Sequence, residues 1–318
     1  MGVQFGADLN AYTGFNETVY ILPIPTSNPK NLSTGMQILE DWAFNARLDS
    51  TEIEQERGVV LEEWRASTQN PESRMMEQNI AVMAKGSPYA KRLPIGKTEV
   101  IEHASAETLR NFYHRWYRPN LMAVVMVGDV TAAQGQALIE RYFAKHTNPD
   151  EPEILTENSF PDSQEPVVAV FKDKDLTGNT ITWIQKEQGD KILHPTVFSY
   201  INDQKNDLLT RMMNRRLNAL LDSPTPPFVG TMVQLGDLGG FVRNKRALHL
   251  IATAAPGQQK STLTALQREV LRVVQHGFTQ VELDRSVAEM LADSQTHFIN
   301  RDKIKKKKKA AEYVRGET

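Results

Sequence analysis

The spacing of apolar positions changes period several times along this chain. Over residues 6–13, Leu9, Ala11 and Thr13 alternate with Asp8, Asn10 and Tyr12, the two-residue period of a half-buried strand. A turn at Gly14-Phe15-Asn16 leads to a second strand at 17–24, which Pro23 and Pro25 terminate. The period then lengthens: Met36, Leu39, Trp42, Ala43 and Ala46 fall on one helical face behind a capping Ser33. A charged helical run begins at Thr51. Pro71 breaks it near Asn70, because the residue before a proline is pushed out of the helical region, and a second piece follows at 72–84. Ser105, with Glu107 in the first turn, caps a helix that runs into an aromatic cluster at 112–117 and stops at Arg118-Pro119-Asn120.

Residues 121–127 are almost continuously apolar, the pattern of a strand buried on both faces. Thr131, with Gln134 three residues on, forms a capping box for a helix to residue 145. Pro149, Pro152 and Pro161 among polar residues make 148–165 a linker between an N-terminal domain, 1–147, and a second domain, 166–318. Beyond it the pattern predicts strands at 166–172 and 179–185 and a long amphipathic helix at 195–221. That helix carries Val197, Tyr200, Ile201, Leu208, Met212, Leu217 and Leu221. Strands at 228–235 and 246–254 follow, joined through glycine-rich 236–240, and then helices at 258–275 and 279–298. Both halves read as α+β, mostly antiparallel sheets backed by helices.

Length and composition narrow the field. The 318 residues suit about two domains and bury a core without staples. A net charge of −2 offers no argument for nucleic acid or an anionic membrane. With no cysteine, disulfides and thiolate metal sites are excluded, and any zinc must be held by His, Glu, Asp and water. No apolar run reaches about 18 residues, the length a membrane-spanning helix needs. The aromatic cluster with His114, Arg115 and Arg118 has the residue types of a nucleic-acid platform, but aromatics at helical spacing are more often core. No GxGxxG or P-loop accompanies the strand–turn–helix at 121–145.

One pair stands out on the charged helix. Glu56 and Glu63 are seven residues apart, and at about 100° per residue they line up two turns apart on one face. Aligned carboxylates can serve a cation, a proton transfer or basic partners, and they can equally be a solvated face. The residues around them carry a resemblance. Gly6-Ala7-Asp8-Leu9-Asn10-Ala11-Tyr12-Thr13, then Glu17-Thr18-Val19-Tyr20, then Glu56-Arg57-Gly58-Val59-Val60-Leu61-Glu62-Glu63, resemble the pitrilysin family. These are the inverzincin zinc metallopeptidases, which include insulin-degrading enzyme and the mitochondrial processing peptidase. The second half, with Gly277-Phe278-Thr279 and Ala310-Ala311-Glu312-Tyr313-Val314-Arg315, resembles the family's second domain.

The resemblance implies two similarly folded domains and a metalloendopeptidase acting on extended peptides. It implies zinc as cofactor, Glu63 as the third zinc ligand and Glu56 as an accessory catalytic carboxylate. It also implies a sheet edge at which Asn10 and Ala11 bind the substrate backbone by strand addition. The remaining ligands and the general base come in the family from an HxxEH helix, placed before the segment that resembles 6–13. The seven histidines, His103, His114, His146, His194, His249, His276 and His297, form no such motif. The chain thus resembles a first half lacking the zinc-helix end, expected to bind no stoichiometric zinc and to cleave no peptide alone. Its partners would be an extended peptide and a second family half, on the same or another chain. The alternative is a non-catalytic, peptidase-like binding or scaffolding subunit, and retention of both glutamates favours the enzyme. Bacterial relatives lean toward the periplasm or cell envelope. The five lysines at 305–309 depart from the family pattern; they read as a solvated or disordered charge run, with a polyanion-binding tail as the other reading.

Overall fold

Two short antiparallel strands, β1 (Asn10–Thr13) and β2 (Thr18–Ile21), form a hairpin in which Ala11 faces Tyr20 and Tyr12 faces Val19. The amide of Gly14 closes its turn on the Glu17 carbonyl at 2.8 Å. The computed structural model describes residues 10–156, 158–187, 196–238, 242–303 and 306–317. Residues 6–9 of the expected first strand, His194, the glycines at 239–240 and Lys305 lie outside the described residues.

The helices that follow are α1 (Pro29–Phe44), α2 (Ser50–Gln69), α3 (Pro71–Met83), α4 (Thr98–His103), α5 (Ala106–Trp116) and α6 (Ala132–Phe143). α1 starts ahead of the expected Ser33 cap. Asn28 caps it instead and Pro29 opens it, a first-turn position where a missing amide costs nothing. The break at Asn70-Pro71, the Ser105 cap and the Thr131–Gln134 capping box are all present. In the aromatic cluster Tyr113 is core, but Phe112 is 58% exposed.

Further along come β3 (Asn179–Lys186), α7 (Val197–Ala219), β4 (Gly230–Leu238), β5 (Val242–Ala254), α8 (Gln259–His276), α9 (Gln280–Asn300) and α10 (Lys306–Glu317). The three strands form an antiparallel sheet in the order β3-β5-β4, with a register shift at Asp237/Leu238. The fold class is α+β with antiparallel sheets, as the sequence suggested. Four lysines of the charge run, Lys306 to Lys309, open α10.

Two expected strands do not form ladders. Residues 121–127 pair with no strand among the described residues, and most of them are half-buried rather than buried on both faces. Residues 166–172 are likewise unpaired, with Val168 87% and Val170 80% exposed. An apolar run encodes a preference for burial, but a ladder also needs a neighbour whose backbone groups come from elsewhere in the chain.

The chain groups into two compact units, one of residues 1–70, 92–157 and 303–318, the other of 71–91 and 158–302. In the second unit Met213 and Leu217 of α7, Phe228, Val233 of β4, Leu250 and Ala252 of β5, and Ala265 and Leu266 of α8 make a continuous core. Leu217 and Leu266 are fully buried, each contributing about 1.5–3 kcal/mol of transfer free energy. The expected apolar face of α7 is core only toward its C-terminal end: Val197, Tyr200 and Ile201 are exposed. In the first unit α1 meets α6. There Phe44 stacks on His146 at 3.9 Å, and Glu40 accepts from Lys145 at 2.6 Å and His146 at 3.0 Å.

Candidate active site

The glutamate pair sits on α2, and three contacts aim that helix. Asp49 caps it, accepting from the Thr51 amide at 2.9 Å. Arg110 of α5 donates to the Leu48 carbonyl at 3.1 Å and to Ser50 Oγ at 2.8 Å, beside a Leu48 held at a φ of 46°. Arg57 donates to the Ile101 carbonyl and, at 2.9 Å, to that of Ala104. Those carbonyls end α4, where no amide of the helix itself can reach them. Arg57 also pairs with Glu54, whose hydrogen bond raises the guanidinium's affinity for its proton.

With Arg57 turned to α4, positions about 100° around the helix face away from it. Glu56 and Glu63 occupy those positions and both are exposed. Glu54 and Glu62 each pair with an arginine three residues on, whereas Glu56 and Glu63 have no hydrogen-bond or ion-pair partner among the described residues. α2 buries no residue at all, and Val59 between the two glutamates is 61% exposed. Unpaired carboxylates of this kind can accept hydrogen bonds, offer oxygens to a cation or take a proton.

The candidate peptide-binding strand lies in the same unit. All four residues of β1 are exposed, and β2 covers one of its edges. Asn10 Oδ1 accepts from the Ala11 amide at 2.9 Å. Behind the hairpin, the Tyr20 hydroxyl bonds that of Tyr117 at 2.7 Å, with Trp42 at 5.8 Å from the Tyr20 ring. Burial, then the Tyr117 hydrogen bond, push the Tyr20 phenol far above its ordinary range, so it stays neutral. Among the described residues no hydrogen bond or ion pair joins β1 to α2.

A zinc of the catalytic type takes three protein ligands and a water. Among the described residues no three His, Asp or Glu converge closely enough to hold a metal ion. The donor set around Glu63 therefore does not fit a complete zinc site by itself. Two positioning residues escaped the sequence reading, Arg57 and Arg110. Arg57 stands inside the motif, but nothing in its local pattern reveals that it reaches α4.

Two family models match the chain. The one described as insulinase (peptidase family M16) covers residues 3–94, and the one described as peptidase M16 inactive domain covers residues 103–290. The chain belongs to peptidase family M16. A zinc protease PQQL-like protein of Arabidopsis thaliana is 28% identical over 315 residues, which cover 99% of this chain and 29% of that protein. The probable zinc protease PqqL of Escherichia coli is 29% identical over 300 residues, covering 89% of this chain and 30% of PqqL. The chain thus spans about three-tenths of the length of these M16 relatives. The crystal structure of the first half of the periplasmic protease PqqL from Escherichia coli superposes over 100% of this chain and 67% of that one, with a TM-score of 0.87 at 25% identity. The M16 fold is therefore shared along the whole chain. No helix among the described residues is long and apolar enough to cross a membrane.

Proposed function

We propose that this chain is the part of a pitrilysin-type zinc metalloendopeptidase that carries its third metal ligand and its peptide-binding edge. Glu63 supplies one carboxylate to a zinc whose imidazoles come from outside this sequence. Glu56 is an accessory carboxylate two turns away. β1 pairs with an extended substrate through its free edge, using the backbone at Asn10 and Ala11, so recognition is largely blind to substrate sequence. Strand addition at Ala11 requires Asn10 to release the amide it now holds. The peptidase-like domain is 1–147, joined by the linker 148–165 to a non-catalytic domain, 166–318, and a second family half closes over the substrate. What supports this most is the contrast on α2: its Glu54 and Glu62 are paired, while Glu56 and Glu63 stand exposed and unpartnered.

The test joins the chain in frame to an HxxEH-bearing segment from a family member and measures zinc content and cleavage of an unfolded peptide. About one zinc per chain and turnover are expected. Glu63→Gln should abolish zinc retention, whereas Glu56→Gln should keep the metal and slow turnover. A fusion that folds, binds peptide and stays metal-free would mark the chain as a binding or scaffolding subunit. Unchanged zinc in Glu63→Gln would remove the ligand assignment.

A further inference from the structure

A cavity between α7, α8 and the start of α9 plays no part in the peptidase reading. It is open to solvent on one side, holds about 260 Å³ and is lined by residues that include Arg216, Leu220, Glu269, Arg272, Thr279 and Glu282. Its formal charges cancel, two guanidinium groups against two carboxylates. One pair is closely bonded: Arg216 Nε and Nη2 hold Glu282 at 2.5 and 2.8 Å, and the Thr279 amide and hydroxyl donate to the same carboxylate at 2.7 and 2.9 Å.

The other pair is not. The Glu269 side chain is only 7% exposed, yet its ion pair with Arg272 spans 3.7 Å, beyond hydrogen-bond reach. Arg272 itself is 62% exposed and, among the described residues, has no other ion pair. Among the described residues Arg216 Nη1 is buried without a hydrogen-bond partner. The Glu269 carboxylate has no donor within hydrogen-bond distance among the described residues, and its oxygens still reach the cavity, where a donor on an occupant can meet them.

We propose that this cavity binds a small zwitterion, a free amino acid or dipeptide, with its ammonium group donating to Glu269 and its carboxylate accepting from Arg272. The balance of charge selects the class. A bare anion drawn to Arg272 is opposed by Glu269 and Glu282, and a bare cation by the two arginines. A dipolar ligand places each pole against its opposite. At about 30 Å³ per water the space equals some eight or nine waters, adequate for a dipeptide. A second depression along α8, with Arg268, Leu271 and Gln275, opens from Arg272 and gives a ligand side chain room. The proposal stands on residues of one unit and is independent of the zinc reading.

The test is a heteronuclear NMR titration of the whole chain with glycylglycine, and separately with N-acetylglycinamide, which lacks both charges. Saturable shifts confined to α8 and the start of α9 are expected for glycylglycine alone. Glu269→Gln and Arg272→Gln should each weaken binding by about tenfold or more. Because Arg272 is largely exposed, its variant keeps the test open if Glu269→Gln fails to fold. No saturation up to about 50 mM, or equal binding of the capped analogue, overturns the assignment.

Discussion

A Cβ added to Gly35 would stand 2.1 Å from Cδ1 and 2.8 Å from Cγ1 of Ile24, so α1 packs its glycine directly against the Ile24 side chain that follows β2. Two effects oppose each other on substitution. Alanine favours a helix interior over glycine by about 1 kcal/mol. Overpacking a closed site costs about 1–3 kcal/mol. The crowded carbons are the ethyl arm of the half-buried Ile24, which has to rotate away to admit a methyl, so the net loss expected is small. Gly35→Ala is expected to lower the melting temperature, and Ile24→Ala in the same chain to recover much of the loss. A Gly35→Ala chain more stable than its parent would refute this close approach.

Acid should unfasten α7 from α9. Arg216's hydrogen bonds, opposed by burial and helped by Thr279, hold the Glu282 carboxyl down to about 2 against an ordinary 4.5. The proton is bound more weakly in the folded chain than in the unfolded one. The stabilisation is therefore complete above about pH 4.5 and is lost as pH falls toward about 2. Urea melts of the parent and Glu282→Gln should differ by about 1.5–3 kcal/mol near neutrality and converge at the acid end. A difference that persists unchanged at pH 2 would contradict this.

At the α1–α6 contact, burial pushes the Glu40 carboxyl up, but hydrogen bonds from Lys145 and His146 outweigh it and the net shift is downward. Glu40→Gln keeps the shape and part of the hydrogen bonding. Glu40→Ala leaves His146, with 20% of its side chain exposed, short of a partner. Thermal melts at neutral pH should rank parent, then Gln, then Ala, with Ala down by about 1.5–3 kcal/mol. Equal stability of Gln and Ala would mean that the two donors contribute nothing.

The isolated chain should hold little zinc. One carboxylate cannot retain the metal against water and buffer, and catalytic sites use three protein ligands. Elemental analysis after dialysis should give far less than one zinc per chain, unchanged in Glu63→Gln. A stoichiometric metal would mean that a ligand set exists which the reading of α2 leaves out.

Much of the helical framework was legible because its signals are local. Thr131 and Gln134 announce α6 within four residues, and Pro71 stops α2 by a clash with its own neighbour. The Ser33 cap failed where two local signals competed, and Asn28 with Pro29 won. The unpaired state of 121–127 and 166–172 was not legible, since their apolar content says nothing about which distant backbone they would bond.

The amino-acid order alone determined where helices start and stop, the seven-residue alignment of Glu56 with Glu63 and the M16 kinship, because hydrogen bonds along a helix and the angular step of its side chains depend on neighbours a few residues away. Folding in three dimensions decided the rest. It set which way α2 turns, through Arg57 and Arg110, and which carboxylates became buried, Glu40 and Glu269 among them. Those outcomes depend on groups brought together from far along the chain, and burial and charge pairing exist only once they meet.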